Sequence, residues 1–152
     1  VLAQGGGEYT EISEEREVLE LTAKADRCVV HFMHPDFRTC DIMAEHLKSI
    51  AKQHFKTRFY YFRADKGHWV AAKLKVRTLP TVLSFIGGVC KDRILGFEEL
   101  GNTDAFSTST LEARLAKSGV ISIGTENVAA AASTRIFGGF AKNKDDDSDE
   151  DD

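Results

Sequence analysis

CVVHFMHPDFRTC, residues 28–40, sets an apolar run against a polar loop and closes on a cysteine. The first half, Cys28 to Met33, is rich in β-branched and aromatic residues and lies between Asp26-Arg27 and His34-Pro35. That pattern predicts a short buried strand. The second half carries the chain to a helix, since Met43, Leu47, Ile50, Ala51 and His54 recur at helical spacing between Asp41 and Phe55. Cys40 therefore falls at the start of a helix that follows a buried strand.

Outward from this unit the same alternation continues. Upstream, Ser13 followed by Glu14 and Glu15 predicts a helix start, because a hydroxyl caps free N–H groups and carboxylates suit the positive end of the dipole. Val18, Leu21, Thr22 and Ala25 then share one face. Downstream, Phe59 to Phe62 predicts a strand, Trp69 to Val76 a short helix and Thr81 to Ile86 another strand. Gly87-Gly88 suits a tight primed turn, so residues 81–97 should form an antiparallel hairpin. Ser109 and Glu112 have capping-box spacing ahead of Leu111 and Leu115, and Gly119 stops that helix. The expected order is α-β-α-β-α-β-β-α, an α/β fold with a mixed central sheet and helices on both faces.

Gly5-Gly6-Gly7 offers no packing surface, so residues 1–7 are expected to be a flexible linker and residues 8–123 the domain. Residues 124–152 lack sustained periodicity and are expected to form a disordered tail with an acidic end. Ser148, followed there by Asp149, Glu150 and Asp151, has the surroundings that an acidophilic kinase recognises.

The 152 residues, 42% hydrophobic and 29% charged, exclude wholesale disorder and collagen-like architectures. No apolar run approaches the roughly 18 residues of a bilayer span. VLAQGGGEY, residues 1–9, lacks the basic start and apolar run of a signal peptide. Three cysteines without CxxC spacing point to a reducing compartment rather than a disulfide framework. The net charge of -4 is unevenly spread: six acids and one base in residues 1–21, eleven acids and nineteen bases in 22–144, and seven acids in 145–152. A basic middle between acidic ends suits self-screening or a charged partner. Lys48, Lys52 and Lys56, four residues apart, are expected on one helix face, either as a solvated surface or as a nucleic-acid contact. The aromatic run FYYF has the character of a core strand rather than of a stacking platform, which favours the solvated surface.

Two positions bear on chemistry. A thiol at a helix start beside Arg38 has its thiolate favoured by the dipole, yet free cysteines are also among the most buried residues, so Cys40 is either a reactive thiol or a small core hydrophobe. Pro80, just ahead of a strand, is a candidate cis proline. Five histidines, at 31, 34, 46, 54 and 68, lack the matched second pair of a zinc site.

Together the CVVHFM strand, the loop ending at Cys40, FYYFRAD, the TLPT proline, the GG hairpin and LGFEELG resemble a thioredoxin-like fold. More narrowly, GEYTEISEEREVLE, HF at 31–32, the lone Cys40 and GFEELGNTDAFSTSTLEARL resemble the thioredoxin domain-containing protein 9 and phosducin-like protein 3 group, over about residues 5–120. The resemblance lays thioredoxin's WCGPC over Asp36 to Cys40. It thus implies that Phe37 stands where the attacking cysteine belongs, that Cys40 keeps the resolving position, that His31 replaces the buried carboxylate and that Pro80 keeps the cis-proline position. One thiol without the other cannot complete dithiol exchange. The resemblance therefore implies a redox-inactive, cytoplasmic co-chaperone that needs no cofactor, binds the chaperonin CCT (TRiC) and modulates actin and tubulin folding. The alternative is a monothiol thiol-disulfide oxidoreductase or redox sensor acting through Cys40.

Overall fold

A computed structural model describes residues 7–123. The expected tail, Ser148 and nearly all of the expected linker lie outside the described residues.

The elements run β1 (Tyr9–Ile12), α1 (Glu15–Lys24), β2 (Arg27–Met33), α2 (Arg38–Ala51), β3 (Arg58–Arg63), α3 (Trp69–Lys73), β4 (Thr81–Ile86), β5 (Val89–Leu95) and α4 (Thr108–Ala116). Short 3-10 turns at Ala64–Lys66 and Glu98–Leu100 complete the connections. The five strands lie in the order β1-β3-β2-β4-β5. β3 pairs in parallel with both β1 and β2, whereas β4 runs antiparallel to β2 and β5, giving the expected mixed sheet. Gly87 and Gly88 both take positive φ, +59° and +84°, as a primed hairpin turn requires.

Successive residues of β2 face opposite sides, and this splits the core in two. Val29 packs with Met43, Leu47 and Ile50 of α2 and with Leu111 and Leu115 of α4. Cys28, Val30 and Phe32 pack with Val18 of α1 and Val70 of α3. Each large apolar side chain so buried contributes about 1.5–3 kcal/mol of transfer free energy.

Besides small shifts at the ends of α2 and α3, several details differ from the sequence expectation. β1 is an additional strand ahead of α1, so the order begins with β rather than α. Because β1 runs to Ile12, the α1 cap falls on Glu14, whose N–H donates to the Glu17 carboxylate at 3.2 Å, and not on Ser13. The α4 cap is Ser107, whose hydroxyl accepts from the Thr110 N–H at 3.1 Å, rather than Ser109. Finally, α2 ends at Ala51, so Lys56 stands beyond the helix and does not share a face with Lys48. Lys48 itself pairs with Glu45 at 3.3 Å.

Candidate functional site

β2 ends at Met33 and α2 begins at Arg38, so residues 34–37 form the loop that delivers Cys40 into the first helical turn. Antiparallel pairing sets Phe32 opposite Thr81. Pro80, whose peptide bond from Leu79 is cis, therefore stands at this same end of the sheet. The sequence-predicted residues Phe37, Cys40 and Pro80 thus gather around the end of β2, with His31 two residues back along that strand.

Their surroundings differ sharply. Phe37 is the N-cap residue of α2, is 44% exposed and stacks on the His34 ring with centroids 4.7 Å apart. Cys40 is wholly buried, and its Sγ accepts from the His34 backbone N–H at 3.4 Å. Burial pushes its thiol pKa up, outweighing the help from that hydrogen bond. Arg38, expected to favour the thiolate, instead turns to Asp104 at 2.9 Å. The activating effect expected from the helix start is thus overcome by desolvation. All three cysteines are free: Cys28 is buried with its thiol pushed up to about 12, again chiefly by burial, and Cys90 is exposed.

His31 is fully buried, and burial pulls its pKa down to about 3, so the ring is neutral near pH 7. Nδ1 shares a 2.7 Å hydrogen bond with the Tyr9 hydroxyl, while Nε2 has no partner among the described residues. Burial first, and then Tyr61, Cys40 and Glu45, push the Tyr9 hydroxyl pKa up, so it too stays neutral. Tyr9 is the residue of this group that sequence reasoning missed. Its strand, Tyr9–Ile12, gives only a weak signal in the sequence, Tyr9 and Ile12 enclosing the polar Thr10 and Glu11.

Other histidines serve packing between helices: His46 bonds the Thr108 hydroxyl and His54 bonds the Glu112 carboxylate, each at 2.6 Å. Beside the Phe37 loop a cleft of about 460 Å³ is lined by His34, Asp65, His68, Val76, Arg77 and Leu79. In chemical terms the site offers an exposed aromatic, a shielded thiol and a neutral buried imidazole.

No protein-family model matches the chain. Among curated proteins, thioredoxin domain-containing protein 9 of Caenorhabditis elegans is 35% identical over 139 residues, covering 91% of this chain and 67% of that protein. Phosducin-like protein 3 of Dictyostelium discoideum is 41% identical over 115 residues, covering 76% and 62%. Thioredoxin domain-containing protein plp1 of Schizosaccharomyces pombe is 41% identical over 118 residues, covering 78% of this chain and 42% of its own length. Against the Arabidopsis thaliana protein PLP3B the share of the relative's length is 51%, so this chain spans about half the length of several relatives. Among solved structures, a mutant thioredoxin from Halobacterium salinarum superimposes with a TM-score of 0.63 at 16% identity, over 74% of this chain and 92% of that one. Thioredoxin f from spinach chloroplast gives 0.63 at 14% identity, over 76% and 90%. The fold is therefore thioredoxin-like.

Proposed function

The chain belongs to the thioredoxin domain-containing protein 9 and phosducin-like protein 3 group, and we propose that it is a non-catalytic co-chaperone that binds the cytosolic chaperonin CCT (TRiC) and modulates actin and tubulin folding. In this reading residues 8–123 are a binding scaffold, 1–7 a linker and 124–152 an acidic tail with Ser148 as a phosphorylation site. Phe37, Cys40, His31 and Pro80 are the remains of a redox site. The setting is the cytoplasm, in keeping with free cysteines; no helix among the described residues is long and apolar enough to cross a membrane.

The observation that carries the non-catalytic reading is the pairing of an exposed Phe37 with a wholly buried Cys40 three residues on. Thiol exchange needs an accessible thiolate to attack and a second thiol to release the mixed disulfide. At this site the accessible position holds a phenyl ring and the thiol is shielded with its pKa raised. The same facts count against the monothiol alternative.

The test is capture of CCT from a cytosolic extract by the full chain at low salt, with Cys40→Ser alongside. Co-purification of chaperonin subunits with both proteins is expected. Absence of every CCT subunit from both captures would remove the co-chaperone reading, and loss with Cys40→Ser alone would restore a role for the thiol.

A further inference from the structure

At the end of the sheet opposite Cys40, the amino ends of β2 and β3 meet the carboxyl end of β4. Seven residues of β2 at roughly 3.3 Å each put this end about 20 Å from the Phe37 loop. A cleft of about 920 Å³ opens here. Leu21, Ala25, Ile86 and Phe55 give it apolar surface, and Phe55 is 51% exposed. Around them stand Lys24, Arg27, Lys56 and Arg58, with Asp26 the one acid in the lining.

None of those four cations forms an ion pair among the described residues; other cations, Lys52 and Arg77 among them, are likewise unpaired there, and what sets these four apart is that one cleft gathers them. Lys24 suits the negative end of α1, where it occupies the last turn. Arg27, Lys56 and Arg58 have no such local role. The segment that holds two of them is fixed in place: Thr57, between Lys56 and Arg58, is buried and donates its hydroxyl proton to the Val120 carbonyl at 2.6 Å. The cations therefore flank an anchored position.

We propose that this cleft docks an acidic peptide segment of a partner protein, one whose carboxylates are interspersed with apolar side chains. Charge complementarity selects the acids, because a lining of four cations and one acid favours carboxylates and opposes a basic ligand. The apolar floor selects the rest. A nucleic-acid strand needs cations tracking successive phosphates and aromatic faces for successive bases, whereas here a single aromatic and three aliphatic surfaces sit inside the ring of charge. Leucine or phenylalanine side chains against Leu21, Ile86 and Phe55 would bury apolar surface that is now open to water. The cleft lies away from the Phe37 loop and would serve whether or not CCT is the partner.

The experiment is a fluorescence-anisotropy titration of the full chain with a labelled peptide rich in Asp and Glu and interspersed with Leu and Phe. A peptide with Lys in place of every acid, an all-acidic peptide and a single-stranded oligonucleotide run in parallel. Expected are salt-sensitive binding of the mixed peptide, weaker binding of the all-acidic one and none of the basic one. Arg27→Glu combined with Lys56→Glu should weaken binding about tenfold or more and flatten its salt dependence. Phe55→Ala should weaken it while leaving the salt dependence intact, which a general charge effect would not do. Lys56 and Phe55 are exposed, and circular dichroism and melting of each variant, expected to match wild type, check that the variants fold. Three results would each overturn the proposal: equal binding by the charge-reversed chain, preference for the oligonucleotide, or peptide binding that emerges only once residues 145–152 are deleted, which assigns the cleft to the chain's own acids.

Discussion

The Tyr9 hydroxyl lies 2.7 Å from His31 Nδ1, although β3 separates the two strands that carry them. Neighbouring strands are about 4.8 Å apart, so the tyrosine reaches across two strand spacings. It does so by lying flat over Tyr61 of β3, with ring centroids 4.7 Å apart. The contact fastens the edge strand β1 to the middle of the sheet and gives the buried imidazole its one hydrogen-bond partner among the described residues.

Removing that partner should be costly. Tyr9→Phe keeps the ring and its stacking but leaves both His31 nitrogens unmatched among the described residues. A buried polar group deprived of its hydrogen bond costs about 1–3 kcal/mol. Urea unfolding of the variant should show a loss of that size with an unchanged m-value. A loss below about half a kcal/mol would mean that the hydrogen bond contributes little to folding.

His31 should also make the fold acid-sensitive in a particular window. Its native pKa is lowered to about 3 by burial, while an unfolded histidine titrates near 6.5. Between those values the unfolded chain binds a proton that the native state refuses. Stability is therefore unaffected by this group above about pH 6.5 and falls as the pH drops below it, by at most about 1.4 kcal/mol per pH unit. His31→Leu should flatten the stability profile between about pH 6 and 4. A slope equal to wild type in that range would show that His31 is not the group responsible.

A different group governs the lower range. Arg114 of α4, only 12% exposed at its side chain, bonds Asp92 of β5 through both carboxylate oxygens, and Glu99 at 2.9 Å. The guanidinium holds the Asp92 carboxyl below its usual range, so this stabilisation is full above about pH 4 and is lost as the pH falls through the native value. Arg114→Met should cost about 2–3 kcal/mol near neutral pH, because it leaves two carboxylates without their cation. The difference between wild type and variant should shrink in acid. A constant difference down to about pH 3 would place the effect in packing instead.

Four strands, four helices and the two-sided core were legible because their signals are local: β-branched runs, helical periodicity, and a glycine pair of the kind a primed turn favours. β1 was not. Four residues with Thr10 and Glu11 among them make a weak strand signal, and what fixes them is parallel pairing of Tyr9–Ile12 with Phe59–Phe62, some fifty residues away. Cys40 shows the same limit. Its place at a helix start was readable, and so was the choice between a reactive and a buried thiol. The outcome depended on how completely the chain covers it, which no local pattern records. The Lys48, Lys52, Lys56 stripe failed for a simpler reason, since helical spacing was extended past Ala51, where the helix stops.

The Phe37 and Cys40 pair allows a direct chemical trial. With Cys40 buried and its pKa raised, iodoacetamide at neutral pH should label exposed Cys90 in the native protein and reach Cys40 only on unfolding. Wild type and Cys40→Ser should be equally inert in insulin reduction. Phe37→Cys is the informative variant, because it places a second thiol at an exposed N-cap with the spacing of a dithiol motif. That chain should form an intramolecular disulfide under mild oxidation, seen as a mass loss of two hydrogens and protection of both sulfurs from alkylation. If the scaffold still supports exchange, insulin reduction should rise above the wild-type background once the second thiol is supplied. A wild-type protein that already reduces insulin, and loses this with Cys40→Ser, would contradict the account of a shielded, solitary thiol.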